Sequence, residues 1–224
     1  MARTRIKICG ICRPQDALAA ASAGADAIGM VFHPDSPRCI GIDDARQILA
    51  VLPPFVAAIG LFVDADAHAV ARVTEQLPLT AIQLHGTEAP MFVAQLKPTP
   101  VIKALRLVGD AQQTLAQWRA AVADLHLSNL WAILLETPGD VPGGSGVPND
   151  WNALHHLQQS GHFDGLPPFI AAGGLTAQNV GEVVRLLRPF AVDVSSGVEA
   201  ARREKSPQKI QDFIRAVRAA DAGS

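Results

Sequence analysis

The sequence predicts an α/β chain folded as a closed (β/α)8 barrel, the TIM-barrel architecture, in a single compact domain with short loops over residues 1–224. Three observations carry that expectation. Short β-branched or apolar runs alternate with alanine-rich helical patterns, and such alternation implies a parallel sheet. Eight strand–helix pairs account for the 224 residues with no leftover segment, which favours a closed barrel over an open doubly wound sheet. Polar residues recur at the carboxyl ends of the runs, where barrels of this kind keep their active sites.

Each element has a local justification. The first strand spans Arg5–Cys9, and a helix over Pro14–Ala23 follows, with Pro14 suited to its first turn. Ala27–Phe32 reads as the second strand and Asp43–Val51 as its helix. The third strand is expected over Phe55–Val63, after the Pro53-Pro54 breaker, and its helix over Ala67–Gln76. Thr80–His85 and a helix over Ala89–Leu96, opened by Pro90, form the fourth unit; Val101–Leu105 and Ala111–Ala123 form the fifth. The sixth strand, Leu130–Glu136, leads through the glycine-rich Pro142-Gly143-Gly144-Ser145-Gly146 to a helix over Asn152–Gln159. Pro168–Gly173 is the seventh strand, and Thr176 suits the N-cap of a helix reaching Leu187. Phe190–Ser195 and a helix over Pro207–Ala219 complete the ring.

Strand parity sorts these residues by face, because successive side chains point opposite ways. Ile6 and Ile8 oppose Arg5, Lys7 and Cys9; Ile82 and Leu84 oppose Gln83 and His85; Val192 and Val194 oppose Asp193 and Ser195. The apolar sets are expected to pack on the helices and the polar sets to point into the barrel. Glu136 shares a face with Leu134 and ends its strand.

Composition bounds the function. Apolar residues are 49 % and charged residues 18 %, below the roughly 25 % of an average soluble protein, which argues for a sizeable core and against disorder. Nineteen basic against 21 acidic residues imply no nucleic-acid partner. The long uncharged stretch Ile48–Val63 falls short of the roughly 20 residues of a spanning helix and is broken by Pro53, Pro54 and Gly60, so no membrane partner is expected. Met1–Lys7 has no apolar targeting core, and three cysteines make no secreted disulfide framework; a cytoplasmic protein, monomeric by default, is expected.

Glycine runs with hydroxyls at Gly173-Gly174 and Ser195-Ser196-Gly197 fall after strands seven and eight, the recurrent phosphate site of this fold. They point to a small phosphorylated ligand, although tight turns alone also need glycine. Cys9 is a candidate nucleophile or base, or a buried structural thiol. Cys9-Gly10-Ile11-Cys12 lacks the second pair of a zinc site and the context of a redox motif. A ligand anchored over strands seven and eight lies between Cys9 and Glu136, an arrangement suited to proton transfer in an isomerase. Arg38, in the loop after strand two, is a candidate carboxylate clamp. Lys7 faces inward below Cys9 and needs a partner, for which Asp193 on the adjoining strand is the candidate. A Schiff-base role for Lys7 or Lys103, making the protein an aldolase, is the rival reading.

Together, Lys-Ile-Cys-Gly at 7–10, Ser36-Pro37-Arg38, Gln83-Leu84-His85-Gly86, Gly143-Gly144-Ser145-Gly146 with Asp150-Trp151, Ala172-Gly173-Gly174-Leu175 and Ala191–Glu199 resemble the phosphoribosylanthranilate isomerase family, from end to end and in order. The resemblance implies a (β/α)8 barrel that catalyses an Amadori rearrangement, the third step of tryptophan biosynthesis, with no cofactor and no metal. It implies Cys9 as general base, the position of Glu136 as general acid, and Arg38 at the anthranilate carboxylate. Gly173, Gly174, Ser195, Ser196 and Gly197 match the phosphate cradle; Lys7, Gln83, His85, Gly144, Ser145 and Asp193 fall in the pocket. The family usually has aspartate where this chain has Glu136, and the added methylene moves the carboxyl by about one bond length, a displacement on the scale that costs on the order of 100-fold in rate. Two further readings are therefore carried: a barrel that binds phosphoribosyl compounds without turning them over, and an isomerase of a related sugar phosphate. Cys9 counts against the latter, whose histidine-pathway enzymes resemble a motif set with an acidic residue closing strand one.

Overall fold

The computed structural model describes residues 3–107, 110–136 and 150–223. Eight parallel strands close into a barrel: β1 (Arg5–Ile8), β2 (Ala27–Val31), β3 (Ala57–Phe62), β4 (Ala81–Leu84), β5 (Val101–Arg106), β6 (Leu130–Glu136), β7 (Phe169–Ala172) and β8 (Ala191–Val194). Closure is made by β1 on β8, in register from Arg5 opposite Ala191 to Ile8 opposite Val194. The alternating helices are α1 (Pro14–Ala23), α2 (Ile42–Ala50), α3 (Ala67–Thr74), α4 (Pro90–Gln95), α5 (Ala111–Asp124), α6 (Trp151–Gln159), α7 (Val180–Leu187) and α8 (Pro207–Ala222). Four begin on side-chain caps: Asp66, Asp110, Asp150 and Ser206 accept from the third residue of their helices, satisfying amides that a helix start leaves unpaired.

Parity divides the core in two. Ile6, Ile8, Ile82, Leu84, Ile133, Leu135, Val192 and Val194 face outward and pack with helix residues such as Phe213 and Val217. Inside the barrel lies a separate cluster of Ile59, Ala81, Ile102, Ala104, Ala132, Leu134, Ile170, Ala172 and Ala191. Above it, Cys9, Val31 and Leu61 form the apolar rim of the mouth. Gly29 makes the crowded β1–β2 contact possible: a Cβ there would stand 2.7 Å from Cys9 Sγ and 3.1 Å from Lys7 Nζ.

Three expectations need correction. Phe55 is 97 % exposed and precedes β3, because the Pro53-Pro54 pair starts a turn in which Val56 N–H donates to the Pro53 carbonyl. Thr176 is not a helix cap; Asn179 accepts from its N–H at 2.8 Å and donates to the Gly174 carbonyl at 2.9 Å, fixing a turn from which α7 starts at Val180. Between β8 and α8 the chain adds a 3-10 turn (Ser196–Val198) and an antiparallel hairpin, β9 (Glu199–Ala201) with β10 (Glu204–Lys205). Among the described residues, no helix is long and apolar enough to cross a membrane.

Candidate active site

At the carboxyl ends of the strands a cavity of about 370 Å³ is lined by Cys9, Arg38, Gln83, His85, Glu136, Gly173, Asp193, Ser195, Ser196 and Gly197, with Val31, Leu61 and Val63 as apolar wall. Residues drawn from β1, β4, β6, β7 and β8 thus reach one space, as their strand-end positions predict. Gly174 lies in the loop after β7 but does not line the cavity. Gly144 and Ser145 fall outside the described residues.

Cys9 follows β1 directly, and its N–H donates to the Val194 carbonyl at 2.8 Å, which continues the barrel ladder by one residue. Below it Lys7 Nζ meets Asp193 Oδ1 at 2.9 Å, both side chains buried and directly opposite in the β1–β8 register. Burial works against the Lys7 ammonium, but Asp193 and Cys9 beside it outweigh that and hold its pKa above the ordinary lysine value. For Cys9, burial pushes the thiol up; Lys7 and Lys205 pull it down and Asp193 adds to the rise, so the balance stays above the ordinary value.

Glu136 ends β6 and its carboxylate accepts from His85, Nε2 to Oε2 at 3.3 Å. Gln83 Nε2 lies 2.8 Å from His85 Nδ1. With the amide donating to Nδ1, the ring proton sits on Nε2, facing Glu136. Burial tends to raise the Glu136 pKa, but the His85 hydrogen bond and charge, then Arg106 and Lys7, outweigh it and leave it below the ordinary value. The resting pair therefore holds its proton on Cys9 rather than Glu136. The Gln83 side-chain oxygen Oε1 is buried without a hydrogen-bond partner among the described residues.

Arg38 enters from the loop after β2 and forms a bidentate pair with Glu199, Nε to Oε1 at 2.7 Å and Nη2 to Oε2 at 2.8 Å. Lys205 Nζ reaches the same Oε1 at 3.1 Å and the Ser195 carbonyl at 3.0 Å. The turn after β7 has Gly173 at φ 97° and Gly174 at φ 62°, left-handed backbone that side chains disfavour. Ser196 and Gly197 open the 3-10 turn, so their N–H groups are of the kind a helix start leaves free for an anion. A Cβ on Gly197 would overlap the Leu175 carbonyl oxygen, so glycine lets the two loops approach.

The aldolase reading is corrected. Lys103 lies on β5 between inward-facing Ile102 and Ala104 and points outward, where Nζ binds the Gly86 carbonyl at 2.7 Å and Glu88 at 2.8 Å. Lys7 is committed to Asp193. Cys12 Sγ is directed at the carbonyl oxygens of Gly10 and Arg38. Sequence reasoning missed two residues of the site: Glu199, quoted in a motif but given no role, and Lys205. A lysine in Arg202-Arg203-Glu204-Lys205 reads as solvated surface, and only the hairpin turns it inward.

Residues 6–216 match the family model described as N-(5′-phosphoribosyl)anthranilate isomerase. The chain is 44 % identical over 222 residues to the N-(5′-phosphoribosyl)anthranilate isomerase of Pseudomonas putida (strain W619), covering 98 % of this chain and all of that one. It is 44 % identical to that of Neisseria gonorrhoeae (strain ATCC 700825 / FA 1090), covering 96 % of each. Among solved structures it is similar to phosphoribosyl anthranilate isomerase from Thermotoga maritima, with a TM-score of 0.84, 36 % identity and coverage of 96 % and 99 %. A second, with a TM-score of 0.80, 35 % identity and the same coverage, is in complex with reduced 1-(o-carboxyphenylamino)-1-deoxyribulose 5-phosphate.

Proposed function

Because the chain belongs to the N-(5′-phosphoribosyl)anthranilate isomerase family, we propose that Cys9 and Glu136 carry its proton transfers as general base and general acid. The enzyme is an isomerase of tryptophan biosynthesis; it converts N-(5′-phosphoribosyl)anthranilate to 1-(2-carboxyphenylamino)-1-deoxyribulose 5-phosphate. What supports these roles is one observation: the two groups that can exchange a proton line one cavity, with the anion-suited loops after β7 and β8 between their strands.

In the reactive microstate Glu136 is protonated and Cys9 is a thiolate. Glu136 gives its proton to the ribose ring oxygen, the C1′–O bond breaks, and the anilino nitrogen supplies the pair that forms a protonated Schiff base. Cys9 takes the C2′ proton, and the released pair forms the C1′–C2′ double bond of an enolamine. Protonation at C1′ with loss of the C2′ hydroxyl proton gives the ketone. Oxidation at C2′ balances reduction at C1′, so the chemistry closes within the substrate. Ser196 and Gly197 N–H groups, with the Gly173–Gly174 turn, hold the phosphate, and Arg38 holds the anthranilate carboxylate. The enzyme works as a cytoplasmic, single-domain monomer.

The test is a fluorescence assay of phosphoribosylanthranilate consumption by the wild type and Cys9→Ser. Turnover by the wild type and its loss in the variant are expected. Undiminished turnover by Cys9→Ser overturns the base assignment, and an inert wild type that still binds the product overturns catalysis itself.

A further inference from the structure

The bidentate pair between Arg38 and Glu199 poses an electrostatic problem. A guanidinium whose Nε and Nη2 are already engaged by a carboxylate is locally neutral, and a neutral pair holds a second carboxylate poorly. Lys205 meets the same Glu199 oxygen, Oε1, that Arg38 Nε binds. Its side chain is fully buried, and Nζ has three acceptors: Glu199 Oε1 at 3.1 Å, the Ser195 carbonyl at 3.0 Å and Ser195 Oγ at 3.4 Å. Three acceptors match the three donors of an ammonium. Burial lowers the pKa of Lys205, and Glu199 opposes that shift. Asp35, the carboxylate of the same mouth nearest in sequence to Arg38, has a side chain 93 % exposed and is screened by water.

We propose that Lys205 is a positioning and specificity-determining residue: it neutralises Glu199, so that the Arg38–Glu199–Lys205 triad keeps a net charge of about +1 and Arg38 stays receptive to an aromatic carboxylate. Glu199 then orients the guanidinium without cancelling it, and its free edge is left for the ligand. This inference rests on the reading of Arg38 given above.

The test compares affinities for two compounds: reduced 1-(o-carboxyphenylamino)-1-deoxyribulose 5-phosphate and its analogue made from aniline, which lacks the carboxyl. Lys205→Met, with a triad charge of zero, is expected to weaken the carboxylated compound about 10- to 100-fold and leave the analogue within about threefold. The double variant Glu199→Gln/Lys205→Met returns the triad to +1 and is expected to restore the wild-type preference, since a glutamine oxygen still accepts from Arg38 Nε. An equal loss for both compounds, or a double variant no better than Lys205→Met, overturns the proposal. Should Lys205→Met fail to fold, Glu199→Gln alone decides: at +2 it must prefer the carboxylate more strongly than the wild type, and an equal or weaker preference overturns the proposal. A wild type that binds both compounds alike removes the role of Arg38 together with that of Lys205. Clear wild-type preference with no response to triad charge removes only the latter.

Discussion

His85 holds Glu136 from the neighbouring quadrant of the barrel, Nε2 to Oε2 at 3.3 Å, while Gln83 fixes the opposite edge of the same ring at 2.8 Å. The acid group is thus positioned for the length of a glutamate. Glu136→Asp draws the carboxyl back by about one bond length and breaks the His85 contact. It is expected to lower kcat about 10- to 100-fold. Steady-state kinetics check this, and an unchanged kcat would show that the extra methylene is immaterial.

The pH dependence follows from the resting protonation states. Between the lowered Glu136 pKa and the raised Cys9 pKa, each pH unit that ionises tenfold more Cys9 strips tenfold more Glu136, so the reactive fraction is constant. Below the Glu136 value the rate falls as Cys9 ionisation declines unopposed; above the Cys9 value it falls as Glu136 loses its proton. A broad plateau of kcat/KM is expected. His85→Asn removes the largest influence that lowers the Glu136 pKa, so the acid limb moves to higher pH. An acid limb that stays in place would assign that limb to another group.

The buried Lys7–Asp193 pair is expected to matter for stability as well as for Cys9. Asp193→Asn leaves an ammonium unpaired inside the barrel and is expected to cost about 3–5 kcal/mol in denaturant unfolding. Lys7→Met/Asp193→Asn removes both charges and is expected to recover most of that loss. Equal destabilisation of the single and double variants would show that the packing, not the charge, is what matters.

Gly197→Ala places a methyl against the Leu175 carbonyl oxygen and forces the loops after β7 and β8 apart. KM for the phosphorylated substrate is expected to rise about tenfold or more, with kcat far less affected, since a displaced backbone donor is felt in binding. An unchanged KM would remove this loop from the phosphate cradle.

What was legible in the sequence follows the range of the forces involved. Ile6, Lys7 and Ile8 declared their faces because a strand has period two and the residues differ sharply in polarity. The Lys7–Asp193 pair followed, since β1 and β8 adjoin wherever the ring closes. On β5 the same rule misleads: Ile102, Lys103 and Ala104 alternate apolar, polar and apolar as β1 does, yet here the apolar residues line the barrel and Lys103 turns outward to Gly86 and Glu88. The turn at 176–179 hid because Thr176 looks like a cap, whereas Asn179 takes the backbone bonds. Arg38 meets Glu199 across 161 residues of sequence, and Lys205 reaches Glu199 through a hairpin too short to show periodicity. A pairing made by tertiary contact alone leaves no local pattern.

The most direct test of the acid–base account is kcat for Glu136→Gln with phosphoribosylanthranilate, measured beside the variant's affinity for the reduced product. The amide keeps the size and contacts of the side chain but has no proton of suitable acidity to give. Turnover is expected to fall by at least about 100-fold while affinity stays within a few-fold of the wild type. Near-wild-type turnover would contradict the account.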